Sequence, residues 1–266
     1  MKIVVIGGTG LIGSKVVARL SAQGHEALAA APSTGFDVLT GEGLDAAMVG
    51  TDVVVDLANS PSFEDAAALD FFRTAGRNVL AAEAKAGVGH HLALSVVGTE
   101  KQALAASGYI RAKAAQEALI RESGIPYTIV HSTQFFEFLP KIIQAAVDHE
   151  TVRLPPALVQ PIASDEVAEA VARQALEKPL NGVVEIAGPE SVPLDSLARC
   201  FMLLTNDPRE VVTDVHAPYY GAELATDTLI PAPSAWHGKL NFERWIGLSE
   251  FVPADMPRAS EPYCRP

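Results

Sequence analysis

Apolar residues arrive along this chain in short bursts, and the spacing inside each burst separates strand from helix. Lys2 to Ile6 (KIVVI) is an unbroken run rich in β-branched residues, which favours a buried strand. The run breaks at Gly7-Gly8-Thr9-Gly10 and resumes at Leu11 with a different period. Ile12, Val16 and Leu20 then recur at helical spacing with Val17 beside them, predicting a helix that stops at Gly24 in a left-handed cap. Alternation continues from there. Residues 27–30 are a second strand, alanine-rich and so of poor strand propensity, and 37–39 a third, with a short helix over 44–49. Residues 52–58 (DVVVDLA) read as a buried strand ended by Asn59-Ser60-Pro61. Ser62, with Asp65 three residues on, reads as the N-cap of a long helix to Ala86, closed by Gly87. Strands follow at 91–97 (HLALSVV), 126–131 and 183–187, and helices at 109–122, 135–147 and 165–176. Strands alternating with helices predict a parallel sheet with right-handed crossovers and helices on both faces.

After Pro189 the pattern loosens, with prolines at 193, 208, 218, 231, 233, 253, 257 and 262. No linker marks a second independent domain. Residues 1–266 are therefore expected to form a single domain. A small substrate-side lobe, built mainly from 134–160 and 190–266, would lie beside the carboxyl edge of the sheet. The last dozen residues read as a poorly ordered tail.

Composition narrows the function. The chain is 48% hydrophobic and 20% charged, enough for a sizeable core. Its net charge of −12 would repel phosphate backbones, so nucleic acid is not an expected partner. No apolar run is long enough to span a bilayer. Cys200 and Cys264 suit a reducing compartment and suggest neither a disulfide framework nor a zinc site. The seven histidines, among them His90, His91 and His131, lack metal-ligand spacing, so no metal is expected and structural or surface roles are the default. The expectation is a soluble cytoplasmic protein with a small-molecule substrate and no membrane partner, as a monomer or a homodimer.

Two motifs carry candidate chemistry. Gly7, Gly10 and Gly13 have the spacing G-x-x-G-x-x-G directly after a strand and at the opening of a helix. The first allows a tight turn, the second lets a pyrophosphate approach the backbone, and the third lets the helix pack close on the strand. The turn from Gly7 through Thr9, Gly10, Leu11 and Ile12 to Gly13 would point backbone N–H groups and a positive helix end at an anion. The second motif is Tyr109-Ile-Arg-Ala-Lys113, which places Tyr109 and Lys113 on one face of a helix. An ammonium beside a phenol favours the phenolate and tunes it for proton exchange near neutral pH. Ser95, near the end of the preceding strand, is the third candidate, a hydroxyl to hold a substrate carbonyl oxygen.

The chain resembles the short-chain dehydrogenases/reductases, in the atypical branch of NmrA-like NAD(P)-binding proteins. The matching stretches are GGTGLIG (7–13), DVVVDLANS (52–60), LSVVGT (94–99), YIRAKAAQEALIRESGIPYTIVHSTQFFE (109–137), PIASDEVAEAV (161–171) and VVEIAGPE (183–190). The resemblance implies an α/β Rossmann-type doubly wound parallel sheet, a nicotinamide cofactor and a catalytic set of Ser95, Tyr109 and Lys113. It implies reduction of a carbonyl, or oxidation of an alcohol, on a small apolar substrate by hydride transfer. Many NmrA-like relatives lack the tyrosine, and some sense the cofactor without turnover, so a redox sensor is the alternative, with an isomerase or epimerase using bound cofactor as another. Asn78 is the candidate for an asparagine that often completes the proton relay, though a mid-helix surface amide is its plainer reading.

Cofactor choice depends on the end of the second strand, where NAD selectivity usually needs an acid. Residues 29–34 read AAAPST, with neither an acid nor an arginine. Ser33 and Thr34 are candidates to meet a 2′-phosphate, so NADP(H) is expected over NAD(H). Asp37 and Val38 would lie by the adenine, and Leu57, Ala58 and Asn59 along the adenosine and ribose. Lys113 would reach the ribose, and Ser132, Thr133 and Phe135 would flank the nicotinamide. Phe135 or Phe136 is expected near the substrate.

Overall fold

The structure, a computed structural model, describes residues 1–251; the expected tail and Cys264 lie outside the described residues. In chain order its elements are β1 (Lys2–Ile6), α1 (Gly13–Ala22), β2 (Glu26–Ala30), α2 (Leu44–Met48), β3 (Val53–Asp56), α3 (Asp65–Ala86) and β4 (His90–Val96). They continue with α4 (Gly108–Glu122), β5 (Tyr127–Ser132), α5 (Leu139–Ala145), β6 (Val147–Asp148), β7 (Thr151–Leu154), β8 (Leu158–Val159), α6 (Ser164–Leu176) and β9 (Gly182–Ala187). The last are β10 (Val192–Pro193), α7 (Leu194–Leu204), β11 (Glu210–Thr213), β12 (Trp236–His237) and α8 (Phe242–Leu248).

The main sheet has seven strands in the order β12-β9-β5-β4-β3-β1-β2. The pairings of β1 with β2 and β3, β3 with β4, and β4 with β5 are all parallel. Strand order reverses beside β1, the arrangement of a doubly wound sheet. β1 and β3 are buried over almost their whole length, which is why they read as unbroken valine and isoleucine runs. One face, carrying Val4, Ile6 and Val54, packs against α2 and α3 through Leu44, Met48, Val79 and Ala82. By strand alternation Ile3 and Val5 face the other way. There α1 packs on α6, joined by Lys15 Nζ donating to Ser164 Oγ at 2.7 Å and to Asp165 Oδ2 at 2.5 Å. The alternation predicts this parallel sheet, and the whole is the Rossmann-type α/β fold that the family resemblance implies.

The chain divides into two compact units. The first comprises 1–100, 108–132 and 164–185, and holds β1 to β5 with their helices. The second comprises 101–107, 133–163 and residues from 186 onward. Its elements include a small sheet in the order β11-β7-β6 and an aromatic cluster in which Phe136 stacks on Trp245 at 5.0 Å between ring centroids. Trp245 Nε1 donates to Glu137 Oε1 at 3.1 Å.

Several expected elements differ in detail. Residues 37–39 form no strand, because the Asp37 carboxylate accepts from the N–H groups of Leu39 and Thr40 and turns the chain. The helix expected over 135–147 is confined to α5, with a 3-10 turn at Phe136–Phe138 before it. Pro140 sets that start, since proline is tolerated in a helix's first turn but not in its interior. Ser62 does not cap α3, whose N-cap is Glu64; its hydroxyl accepts from the Glu64 N–H at 3.1 Å instead. Cys200 is buried on α7.

Candidate functional site

The glycine turn is shaped by close backbone approach at three of its four glycines, Gly7, Gly8 and Gly13. Gly7 takes φ +72°, and its N–H donates to Ala30 O at 2.8 Å, turning the chain off the end of β1. A Cβ there would lie 2.8 Å from Leu57 O, so this turn sits directly against the segment that follows β3. At Gly13 a Cβ would fall 2.2 Å from Gly7 O, which lets α1 begin in contact with the turn. Gly10 is different: a Cβ would meet only Gly7 O, at 3.3 Å. Thr9, Gly10 and Leu11 are exposed, and Ile12, the N-cap of α1, makes no side-chain cap. An open concave turn leading into an uncapped helix N-terminus fits a pyrophosphate.

Beyond the end of β2, Thr34 is already engaged. Its hydroxyl accepts from the Ala31 N–H at 2.9 Å and lies 2.9 Å from Ala29 O, closing a 3-10 turn over Pro32–Thr34. Ser33 is exposed beside it. Asp37 and Val38 are half-buried, and Val38 packs against the core under α2 and α3. Asn78, on α3, donates from its amide to Val38 O and Leu39 O, both at 2.9 Å, and so ties this loop to the helix.

Tyr109 and Lys113 lie one turn apart on α4 and share an aromatic neighbour. The Tyr109 ring meets Phe72 of α3 edge-on at 6.0 Å, and Lys113 Nζ stands 4.5 Å from the centre of the same ring. The Tyr109 hydroxyl donates to Asn59 Oδ1 at 3.1 Å. Asn59 is exposed and stands two residues beyond Leu57, which touches the glycine turn. Within the first unit, segment 57–59 therefore meets the glycine turn at one end and the tyrosine at the other.

Lys113 is 3% exposed. Its ammonium donates to Leu94 O at 2.8 Å and to Gln116 Oε1. Burial pulls its pKa down to about 8, against the opposing pull of Asp56 and Glu117. Gln116 Nε2 donates in turn to Asp56 Oδ2 at 2.9 Å.

Ser95 has its hydroxyl committed elsewhere. It is buried on β4 and donates to Glu117 Oε1 at 2.6 Å. His131 Nε2, across the β4–β5 pairing, lies 2.8 Å from the same oxygen, and Arg121 donates to Glu117 Oε2 at 2.7 Å. Burial alone would raise the Glu117 pKa; the hydrogen bond and charge of His131, with bonds from Ser95 and Arg121, outweigh it and bring it to about 2. Ser132 ends β5 and is buried. In the second unit, Thr133 Oγ1 donates to Gln160 O at 2.6 Å, and half-buried Phe135 stacks on Phe138 at 5.2 Å. Phe136 belongs to the aromatic cluster described above.

Sequence reasoning passed over Asp56, Gln116 and Glu117. Each had a signal: Asp56 is a carboxylate ending an apolar strand, and Gln116 and Glu117 follow Lys113 by three and four residues on one helix face. The histidines assigned by default to structural or surface roles are buried in three cases: His90, His91 and His131. His91 Nδ1 lies 2.8 Å from Glu83 Oε1, a pair sealed between β4 and α3. No cluster that would hold a metal occurs among the described residues. Nor is any helix among them long and apolar enough to cross a membrane.

The family and the fold are shared with known proteins. The chain belongs to the NAD(P)H-binding family, whose profile matches residues 7–178 and so takes in the glycine turn, segment 57–59 and α4. Its kinship is of the reductase type. The chain is 31% identical over 208 residues, 71% of its own length and 69% of the relative's, to (4-alkanoyl-5-oxo-2,5-dihydrofuran-3-yl)methyl phosphate reductase of Streptomyces griseus. Among solved structures it is similar to TunA, an NAD-dependent NDP-hexosamine 5,6-dehydratase, with a TM-score of 0.69 and 18% identity over 93% of this chain and 95% of that one. It is also similar to Bordetella bronchiseptica WbmG in complex with NAD, with a TM-score of 0.67 and 18% identity over 93% of this chain and 92% of that one. At such identities the structural likenesses describe the fold.

Proposed function

We propose that this protein is an NADPH-dependent reductase of the short-chain dehydrogenase/reductase type, acting on a carbonyl of a small apolar substrate. The observation that carries the reading is the convergence on segment 57–59. Gly7 nearly touches Leu57, and the Tyr109 hydroxyl meets Asn59. A dinucleotide laid along that segment, with its pyrophosphate at Gly10, would bring its far end toward Tyr109. When bound, it supplies a hydride to the substrate carbon. Tyr109 gives its phenolic proton to the substrate oxygen and regains one from solvent. Lys113 stabilises the phenolate left behind and reaches the ribose. The Ser95 hydroxyl is held by Glu117 of α4 rather than offered to substrate. The supports for NADP(H) over NAD(H) are the lack of an acid at 29–34 and the exposed hydroxyl of Ser33.

One observation favours a second substrate type. The compound in the Streptomyces relative's name holds a ring C=C conjugated to two carbonyls. On such a substrate the same parts would reduce the conjugated bond, with the hydride at the β carbon and Tyr109 protonating the enolate. The test is NADPH oxidation over ketones, aldehydes and unsaturated lactones, repeated with cofactor deuterated at C4. Deuterium on a carbinol carbon supports carbonyl reduction, and deuterium at the β carbon supports conjugate reduction. NADPH binding with no turnover across the panel refutes both and leaves a cofactor sensor.

A further inference from the structure

We propose that Asp56, acting through the Gln116 amide, is a positioning residue that keeps Lys113 charged and aimed at the site. The proposal rests on the reading of Lys113 given above.

The physical argument begins with burial. An ammonium removed from water needs a compensating charge and full hydrogen bonding. Lys113 has two acceptors, Leu94 O and Gln116 Oε1, and both are neutral. Glu117, one residue beyond Gln116, has both oxygens engaged by Ser95, His131 and Arg121. The carboxylate that reaches Lys113 by a hydrogen-bonded path is Asp56, itself 4% exposed at the end of β3. Gln116 can serve this path in one orientation only. Its oxygen must face the ammonium and its NH₂ must face the carboxylate, because neither end works when reversed. An amide held between opposite charges is polarised by both, which strengthens each bond. The i, i+3 spacing on α4 puts lysine and glutamine on one face.

Asp56 has a second hold on the site. Its Oδ1 accepts from the Ala58 N–H at 3.0 Å, which fixes the segment that carries Asn59 and meets Tyr109. One carboxylate thus orders the lysine and the ribose-side segment together. The α3 helix faces Lys113 with the uncharged Phe72 ring, β4 faces it with the Leu94 carbonyl, and the β5 histidine, His131, is paired to Glu117. Glu83 of α3 and His91 of β4 bear on Asp56.

The test reads Lys113 itself. Protein carrying lysine labelled with ¹³C at the ε carbon is titrated by NMR, with the Lys113 signal assigned from Lys113→Arg. In Asp56→Asn the proton affinity of Lys113 should fall at least tenfold, because a negative charge that favours the ammonium is gone. The alkaline fall in kcat/KM should move to lower pH in step. Adding Gln116→Glu puts a carboxylate directly on Lys113, with the amide introduced at position 56 free to donate to it, and should restore both midpoints. Should Asp56→Asn not fold, Gln116→Met keeps both charges, cuts the path and should lower the midpoint in the same direction. A Lys113 midpoint within threefold of wild type in the folded variants, or no recovery in the double variant, overturns the proposal. A midpoint that moves and recovers in a protein that turns over no substrate supports the proposal and refutes the reductase reading instead.

Discussion

Alanine at Gly10 and alanine at Gly13 are the same chemical change three residues apart, and the structure predicts opposite consequences. At Gly13 the new methyl carbon would lie 2.2 Å from Gly7 O and 2.7 Å from Gly8 Cα. Carbon contacts are most favourable near 3.5–4.0 Å. Backbone on both sides must then move by about 1 Å, an overpacking that costs roughly 1–3 kcal/mol. For a chain of this size that lowers Tm by roughly 2–4 °C per kcal/mol, so about 2–12 °C in all. At Gly10 the only near atom is Gly7 O at 3.3 Å, and Gly10 is not among the residues with positive φ. A shift of a few tenths of an ångström relieves that contact, so Tm should change by less than about 4 °C. A methyl group at Gly10 would occupy open space beside the turn and, on the proposed reading, compete there with the pyrophosphate. NADPH should bind at least tenfold more weakly to Gly10→Ala, a loss of about 1.4 kcal/mol or more. Fluorescence titration of NADPH and thermal unfolding with and without NADPH give both quantities. In wild type, NADPH at a hundred times its Kd should add about 2.7 kcal/mol of stability, and in Gly10→Ala that gain should fall to about 1.4 kcal/mol or less at the same concentration. Unchanged affinity in Gly10→Ala would refute the pyrophosphate cradle. An unchanged Tm in Gly13→Ala would refute the packing argument.

Tyr109→Phe keeps the ring against Phe72, so Tm and NADPH affinity should hold while kcat falls about 10²–10⁴-fold in steady-state assays. Ala31→Asp places a carboxylate at the end of β2 and should weaken NADPH relative to NADH; a ratio of dissociation constants equal to wild type would count against the 2′-phosphate assignment. Glu117 has a depressed carboxyl pKa of about 2 and so contributes stability that is present above its unfolded value near 4.3 and lost as pH falls toward 2. The contribution is on the order of 3 kcal/mol, and Glu117→Gln should flatten the rise in urea-measured stability between pH 3 and pH 5.

The parts of the fold that were legible in the sequence share one property: local pattern and tertiary role agree there. β1, the glycine turn and α1 are legible because a strand buried on both faces, a tight turn and a helix each leave a distinct residue pattern. Helix α7 shows the limit. Its buried Leu194, Leu197, Ala198, Phe201, Met202 and Leu204 have clean helical spacing, but the flanking prolines made the region read as loose. The parallel pairing of β7 with β11 joins residues about sixty positions apart and leaves no local mark. Among the candidate site residues, the glycines, Tyr109 and Lys113 stand out in the sequence by their spacing, and α4 carries the last two one turn apart. Asp56 does not stand out, because its bond with Gln116 joins residues 60 positions apart. Ser95 shows that position along a strand does not reveal where a hydroxyl donates; Glu117 claims it from a helix 22 residues further on.

Helix α3 also acts as a gauge for the site. At one point it presents Phe72, the ring against which Tyr109 and Lys113 lie, and six residues later it presents Asn78, whose amide grips the loop expected at the adenine. At 1.5 Å per residue those two holds are about 9 Å apart along the axis, at a fixed angle about it. One residue inserted between them would swing one hold about 100° around the helix relative to the other. The two ends of a bound dinucleotide would then be asked to fit a frame whose marks no longer line up. The length of α3 between residues 72 and 78 should therefore tolerate substitution far better than insertion or deletion.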